Sequence, residues 1–151
     1  MARNTGFAAS RADVFDQVLR WLTERDRTEA QLRARLEKLG AEPEAISAAI
    51  KKASEYGYLN DRRAVSALVD REVQKHASRA AIASKLSAQG VSESDIEASL
   101  EAGGVSDEAN ATALLKKRRL TGVKAARFLA GRGFDESLIR ALLPELDSTL
   151  D

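Results

Sequence analysis

The chain has 151 residues, no cysteine, a single histidine, and 24 basic against 23 acidic side chains. Disulfides, thiolate nucleophiles and Cys-ligated zinc are thereby excluded. A net charge of +1 leaves attraction to nucleic acid to local segregation of charge, not to bulk charge.

Apolar residues recur at helical spacing throughout, and no alternating stretch bounded by turn signals reads as a strand, which predicts an all-α fold. Residues 1–12 have little to pack and are expected to be flexible, without the apolar segment of a signal peptide. A first helix is predicted from Asp13 to Thr23, with Phe15, Val18, Leu19 and Leu22 along one face and Trp21 beside it. A second comes after Thr28 and carries Leu32, Leu36 and Leu39. A third has Pro43 at its first position, where a missing N–H costs nothing, and ends at Gly57. Tyr56 and Tyr58 flank that glycine and read as fixing the junction between the first group of helices and the second.

Asn60 caps the next helix, whose stripe is Val65, Leu68, Val69 and Val73; Ile82, Leu86, Ile96 and Leu100 continue the pattern until Gly103 and Gly104. From about Ser106 a further series runs through Leu114, Leu115, Phe128, Leu129, Phe134, Leu138, Ile139, Leu142 and Leu143. Pro144 ends or kinks the last helix, and residues 147–151 form a flexible tail. Nowhere do roughly 18 apolar residues run uninterrupted, so a cytoplasmic protein without a membrane partner is expected.

One pattern occurs three times in this series. Gly40, Gly90 and Gly133 each follow a leucine four residues earlier (Leu36, Leu86, Leu129), and aliphatics stand six and ten residues later. Thr28, Ser78 and Thr121 stand twelve residues before these glycines; Glu42, Ser92 and Asp135 stand two after, mostly good N-caps. Each glycine reads as the left-handed stop of one helix just before the next begins. The expectation is three tandem three-helix, helix-turn-helix-like repeats at 13–57, 58–104 and 105–146, forming an elongated modular array with hinges at the short links.

The catalytic inventory is thin. His76 has no second histidine or cysteine to share a metal or nucleophile and reads as a surface residue. Glu93, Asp95, Glu97 and Glu101 match an exposed helical face better than a cation site, and no Gly-rich phosphate loop is present. Neither an enzyme nor a cofactor is expected. The most polarised segment, Ala109 to Phe134, holds Lys116, Lys117, Arg118, Arg119, Lys124, Arg127 and Arg132 and no acid. It reads either as a phosphate-binding strip or as a solvated face. Arg25, Arg27 and Arg33 form a second, diluted set of candidate contacts, interleaved with acids that invite ion pairs along the helix. A groove-reading role for the last helix of each repeat meets acids in the second and third repeats; only the first, with Lys51 and Lys52, suits it. Trp21 reads as bordering the core in preference to stacking on a base.

Three segments in this order resemble the RecX family, regulators of the RecA recombinase: RDRTEAQLRARL at residues 25–36, GYLNDRR at 57–63 and KAARFLAGRGF at 124–134. The resemblance runs from Asp13 to Leu146. Ala64 stands where the family usually has an aromatic, and Ser78 to Ala81 where it often has glycine followed by basic residues. The resemblance implies a curved monomer of three-helix repeats lying in the groove of a RecA filament on single-stranded DNA, with duplex DNA bound only weakly. It further implies restraint of filament assembly, ATP hydrolysis, strand exchange and stimulated repressor cleavage, without an active site. Under it the seven cations from Lys116 to Arg132 supply the phosphate-facing contacts. A helix-turn-helix repressor of duplex DNA and a helical adaptor between proteins are the alternatives.

Overall fold

The computed structural model describes residues 10–148, and all regular structure among them is helical. The helices are α1 (Arg11–Glu24), α2 (Glu29–Lys38), α3 (Pro43–Glu55), α4 (Asp61–Gln74), α5 (Arg79–Ala88), α6 (Glu93–Ala102), α7 (Asp107–Arg118), α8 (Gly122–Gly131) and α9 (Glu136–Leu142), followed by a last turn at Glu145–Ser148. No described helix is long and apolar enough to cross a membrane. The chain divides into two compact units, the first ending at Ala67 and the second beginning at Leu68.

Local chemistry sets the helix ends. Ser10 accepts the Asp13 N–H while the Asp13 carboxylate accepts the Ser10 N–H, a reciprocal cap that starts α1 at Arg11. Residues 10–12, expected to be flexible, therefore belong to this capped helix; the rest of that segment and residues 149–151 lie outside the described residues. Thr28, Asn60, Ser78, Ser92 and Ser106 each accept the N–H three residues on, as capping residues do. Glu42, Thr121 and Asp135 occupy cap positions without a side-chain cap bond.

The three glycine turns are one device. Gly40, Gly90 and Gly133 have φ of 86°, 83° and 90°. In each, the N–H of the next residue donates at 3.1 Å to the carbonyl of the leucine four before the glycine. That bond is why leucine and glycine recur at this spacing: the leucine side chain enters the core while its carbonyl closes the helix.

The first unit packs α1 and α2 on α3. Val14, Val18 and Trp21 of α1 and Leu32 and Leu36 of α2 meet Ala45, Ile46, Ala49, Ile50 and Ala53 of α3, with Leu59 beneath. Alanines at 45, 49 and 53 line one face of α3 and let a neighbouring helix approach closely. The buried stripe of α1 is thus centred on Val14, Val18 and Trp21, while Phe15, Leu19 and Leu22 are half-buried. The buried face is therefore rotated from the predicted one towards Val14 and Trp21.

In the second unit, α5 packs on α6 and α8 on α9. Ala111, Leu114, Ala125, Leu129, Phe134, Ile139 and Leu143 form the core of its later part. On α4 the buried positions are Ala64, Leu68, Val69 and Glu72, whereas Val65 and Val73 are half-buried. The link at residues 103–106, expected to be a hinge, is pinned. A Cβ at Gly103 would stand 2.7 Å from the Val69 side chain, Val105 is buried and its carbonyl accepts from Arg79, and the Asp107 carboxylate accepts the Arg79 N–H at 2.8 Å. The Asn110 amide reaches the Ala77 carbonyl at 2.8 Å. The Ser78 hydroxyl, wholly buried, donates to the Arg132 carbonyl at 2.8 Å. The first unit repeats the aspartate contact: the Asp61 carboxylate accepts the Glu29 N–H at 2.7 Å.

Candidate nucleic-acid interface

The end of α7 and the whole of α8 carry the seven cations of the predicted strip, all exposed. α7 ends with Lys116, Lys117 and Arg118 in its last turn, where positive charge complements the helix dipole. Arg119 then turns the chain with φ 54°, a left-handed conformation unusual for a residue with a Cβ. Lys124 and Arg127 sit one turn apart on α8, and Arg132 caps its end.

None of the seven makes an ion pair among the described residues, so their charge faces solvent uncompensated. Several basic residues outside the strip are paired instead: Arg27 with Glu24, Arg33 with Glu29, Arg63 with Asp26, Arg79 with Glu97 and Glu101, and Arg140 with Glu136 lie at 2.8 to 3.4 Å. Two members of the strip are organised by one ring. The guanidinium carbons of Arg118 and Arg132 lie 5.0 and 4.8 Å from the centroid of Phe128, which joins the end of α7 to the end of α8. Sequence reasoning assigned Phe128 to the core alone. Its place four residues before Arg132 on one helical face was the available signal.

The secondary set behaves differently. Arg25 is exposed. Arg27 is largely enclosed: its Nε donates to the Trp21 carbonyl, its NH2 to Glu24, and burial, with the charge of Arg35, lowers its pKa. Arg33 is held by Glu29 at 2.9 Å. These pairs follow the helix, as the interleaved acids suggested. Trp21, only 9 % exposed, is a core residue with the Arg35 guanidinium 4.6 Å from its ring, and no face is left for a base.

Glu97 and Glu101 turn to Arg79, and among the described residues no group of three or more potential ligands is arranged to hold a metal. His76 is half-buried with φ 61° at the end of α4, where it stands in a glycine-like turn position. The third helices of the later repeats offer no free base for a groove: α6 is acidic, and Arg140 of α9 is paired. Tyr56 and Tyr58 do not fix the junction through their rings, which are exposed; their backbone does so, the Tyr58 carbonyl accepting from Arg63.

A family model for the first three-helix domain of RecX matches residues 15–52. The regulatory protein RecX of Halorhodospira halophila is 31% identical over 148 residues, covering 93% of this chain and 91% of that one. The chain belongs to the RecX family. The RecX of Pseudomonas fluorescens is 30% identical over 135 residues, covering 83% of this chain and 86% of its own. The fold agrees with the crystal structure of RecX from Lactobacillus salivarius at a TM-score of 0.67, with 19% identity over 91% of this chain and 96% of that one. The relatives are named as regulatory proteins, not as enzymes. Ala64 and Ser78 are buried, 3% and 0% exposed, while Ala80 in the segment Ser78 to Ala81 is exposed.

Proposed function

We propose that this chain acts in the cytoplasm as a monomeric modulator of RecA. It binds the RecA filament on single-stranded DNA and restrains filament growth, ATP hydrolysis, strand exchange and coprotease action, without a cofactor. Three three-helix repeats, at 13–57, 58–104 and 105–146, supply the surfaces. Lys116, Lys117, Arg118, Arg119, Lys124, Arg127 and Arg132 meet phosphates, with Arg25 as a lesser contact. The observation that carries this reading is the exposed strip of cations, unpaired among the described residues, in a chain of this family.

Phosphate contacts made by such cations release counterions, so affinity falls with salt in proportion to their number. Lys116, Lys117, Lys124 and Arg127 stand clear of the Phe128 ring, and their replacement by glutamate spares the packing. The quadruple variant is expected to bind single-stranded DNA more weakly, with a salt slope shallower by about 0.7 per lost contact, and to suppress RecA ATP hydrolysis less. Unchanged affinity and slope refute the strip. Retained suppression with weakened DNA binding moves the regulatory contact to protein. Preference for one duplex sequence over a scrambled duplex would revive the repressor reading.

A further inference from the structure

The first unit carries an aromatic surface that its own core does not use. Tyr56 follows the last turn of α3 and Tyr58 follows the left-handed turn at Gly57. The two residues are 60% and 49% exposed, although the backbone beneath is tied: the Tyr58 N–H donates to the Ala53 carbonyl at 2.9 Å. The two rings meet edge to face, with centroids 6.0 Å apart and planes at 82°. Tyr56 meets Phe15 of α1 in the same way, at 6.4 Å and 83°. An edge-to-face pair covers one face of one ring, so flat aromatic surface stays open to solvent. Rings this exposed add little burial to the fold.

Charge gives the surface a direction. Lys52 Nζ lies 4.4 Å from the Phe15 centroid and 6.0 Å from that of Tyr56, fixed beside the rings. Of the carboxylates nearby in sequence, Asp26 is paired with Arg63, whereas Asp61 accepts the Glu29 N–H and keeps its charge. Lys51, Lys52 and Arg62 form no ion pair among the described residues, and Lys51 lines a shallow cleft with Glu44 and Arg11. Exposed rings with a lysine beside them are the chemistry of single-strand nucleic-acid platforms, where bases stack and cations follow the phosphates.

We propose that Tyr56 and Tyr58, with Lys51, Lys52 and Arg62, form a base-stacking site for single-stranded nucleic acid in the first unit. It differs in chemistry from the phosphate-directed strip on α7 and α8 and stands independently of it. The test uses the full chain and two labelled strands of equal length, an oligothymidylate and one whose bases are replaced by abasic sites, so that phosphates are held constant. The unmodified chain binds the base-bearing strand more tightly. Tyr56→Ala with Tyr58→Ala removes that preference, at about ten-fold in affinity per ring, and leaves binding of the abasic strand and the salt slope unchanged. Tyr56→Phe with Tyr58→Phe keeps the preference. Equal binding of both strands by the unmodified chain overturns the proposal, as does an alanine variant that loses both strands equally or neither. Loss of RecA-filament binding with free-strand binding intact assigns the rings to a protein partner and also overturns it. Charge reversal in the strip lowers both strands together, so failure of one site is distinguishable from failure of the other.

Discussion

Replacing Ser78 by alanine removes two hydrogen bonds that pass through one oxygen. The hydroxyl accepts the Ala81 N–H at 3.0 Å as the cap of α5 and donates to the Arg132 carbonyl at 2.8 Å, across 54 residues of chain. Loss of an N-cap costs about 1 kcal/mol. The second loss leaves a carbonyl in a site where Ser78 is 0% exposed, and an unsatisfied buried acceptor costs about 1–3 kcal/mol. Ser78→Ala is therefore expected to destabilise by about 2–4 kcal/mol. Ser92→Ala is the internal control. Ser92 caps α6 by accepting the Asp95 N–H at 3.3 Å, and its hydroxyl otherwise contacts only Ser94. Both serines lie in the second unit, so subtraction cancels the cap and leaves about 1–3 kcal/mol for the buried contact. Urea unfolding followed by far-UV circular dichroism, with one slope fitted to all variants, measures the difference. Agreement of the two variants within about 0.5 kcal/mol would refute the claim that Ser78 holds the α8 end against the start of α5.

Gly133→Ala tests the same joint from the other side. Its φ is 90° and an added Cβ would stand 2.9 Å from the Ser78 hydroxyl, whereas at Gly57, with φ 80°, a Cβ meets nothing within 4 Å. Gly57→Ala should cost about 1–2 kcal/mol of backbone strain, and Gly133→Ala about 1–3 kcal/mol more from the displaced neighbour; equal losses in urea would show that Ser78 yields freely. Glu72 predicts a pH dependence. Burial opposes its ionisation, but Lys85 at 3.0 Å and Lys75 at 3.5 Å outweigh burial and lower its pKa. A folded pKa below the unfolded value contributes stability above about pH 4.3, and that stability is lost as pH falls through the folded value. Glu72→Gln should lower stability at neutral pH and make the loss between about pH 4.3 and lower pH less steep; acid-unfolding profiles of unchanged steepness would refute it.

Much of this architecture was legible because it is local. The leucine–glycine spacing specifies a turn closed by the leucine's own carbonyl, and Ser, Thr and Asn before each apolar run specify where helices begin. Ala64 and Glu72 were not legible as buried positions. Alanine carries little apolar signal, and a glutamate enters a buried position here only because two lysines, Lys75 just after α4 and Lys85 of α5, meet it. Trp21 could be placed beside the apolar stripe but not within it, because helical periodicity gives a stripe without saying how wide the facing helix leaves the gap.

The segregation of seven cations between Ala109 and Phe134 needed only the order of residues, since a run without acids has no partner along its own helix. Whether distant acids neutralise it was a tertiary question. Chain folding brings Glu97 and Glu101 to Arg79 and Asp26 to Arg63 and leaves the strip unpaired among the described residues. The same holds for Phe128 between two guanidiniums, for Tyr56 and Tyr58 with their rings outward, and for Ser78 holding the Arg132 carbonyl. Turns, caps and periodicity are decided by atoms within a few residues of one another, whereas burial, pairing and exposure depend on which remote segments the packed core brings into contact.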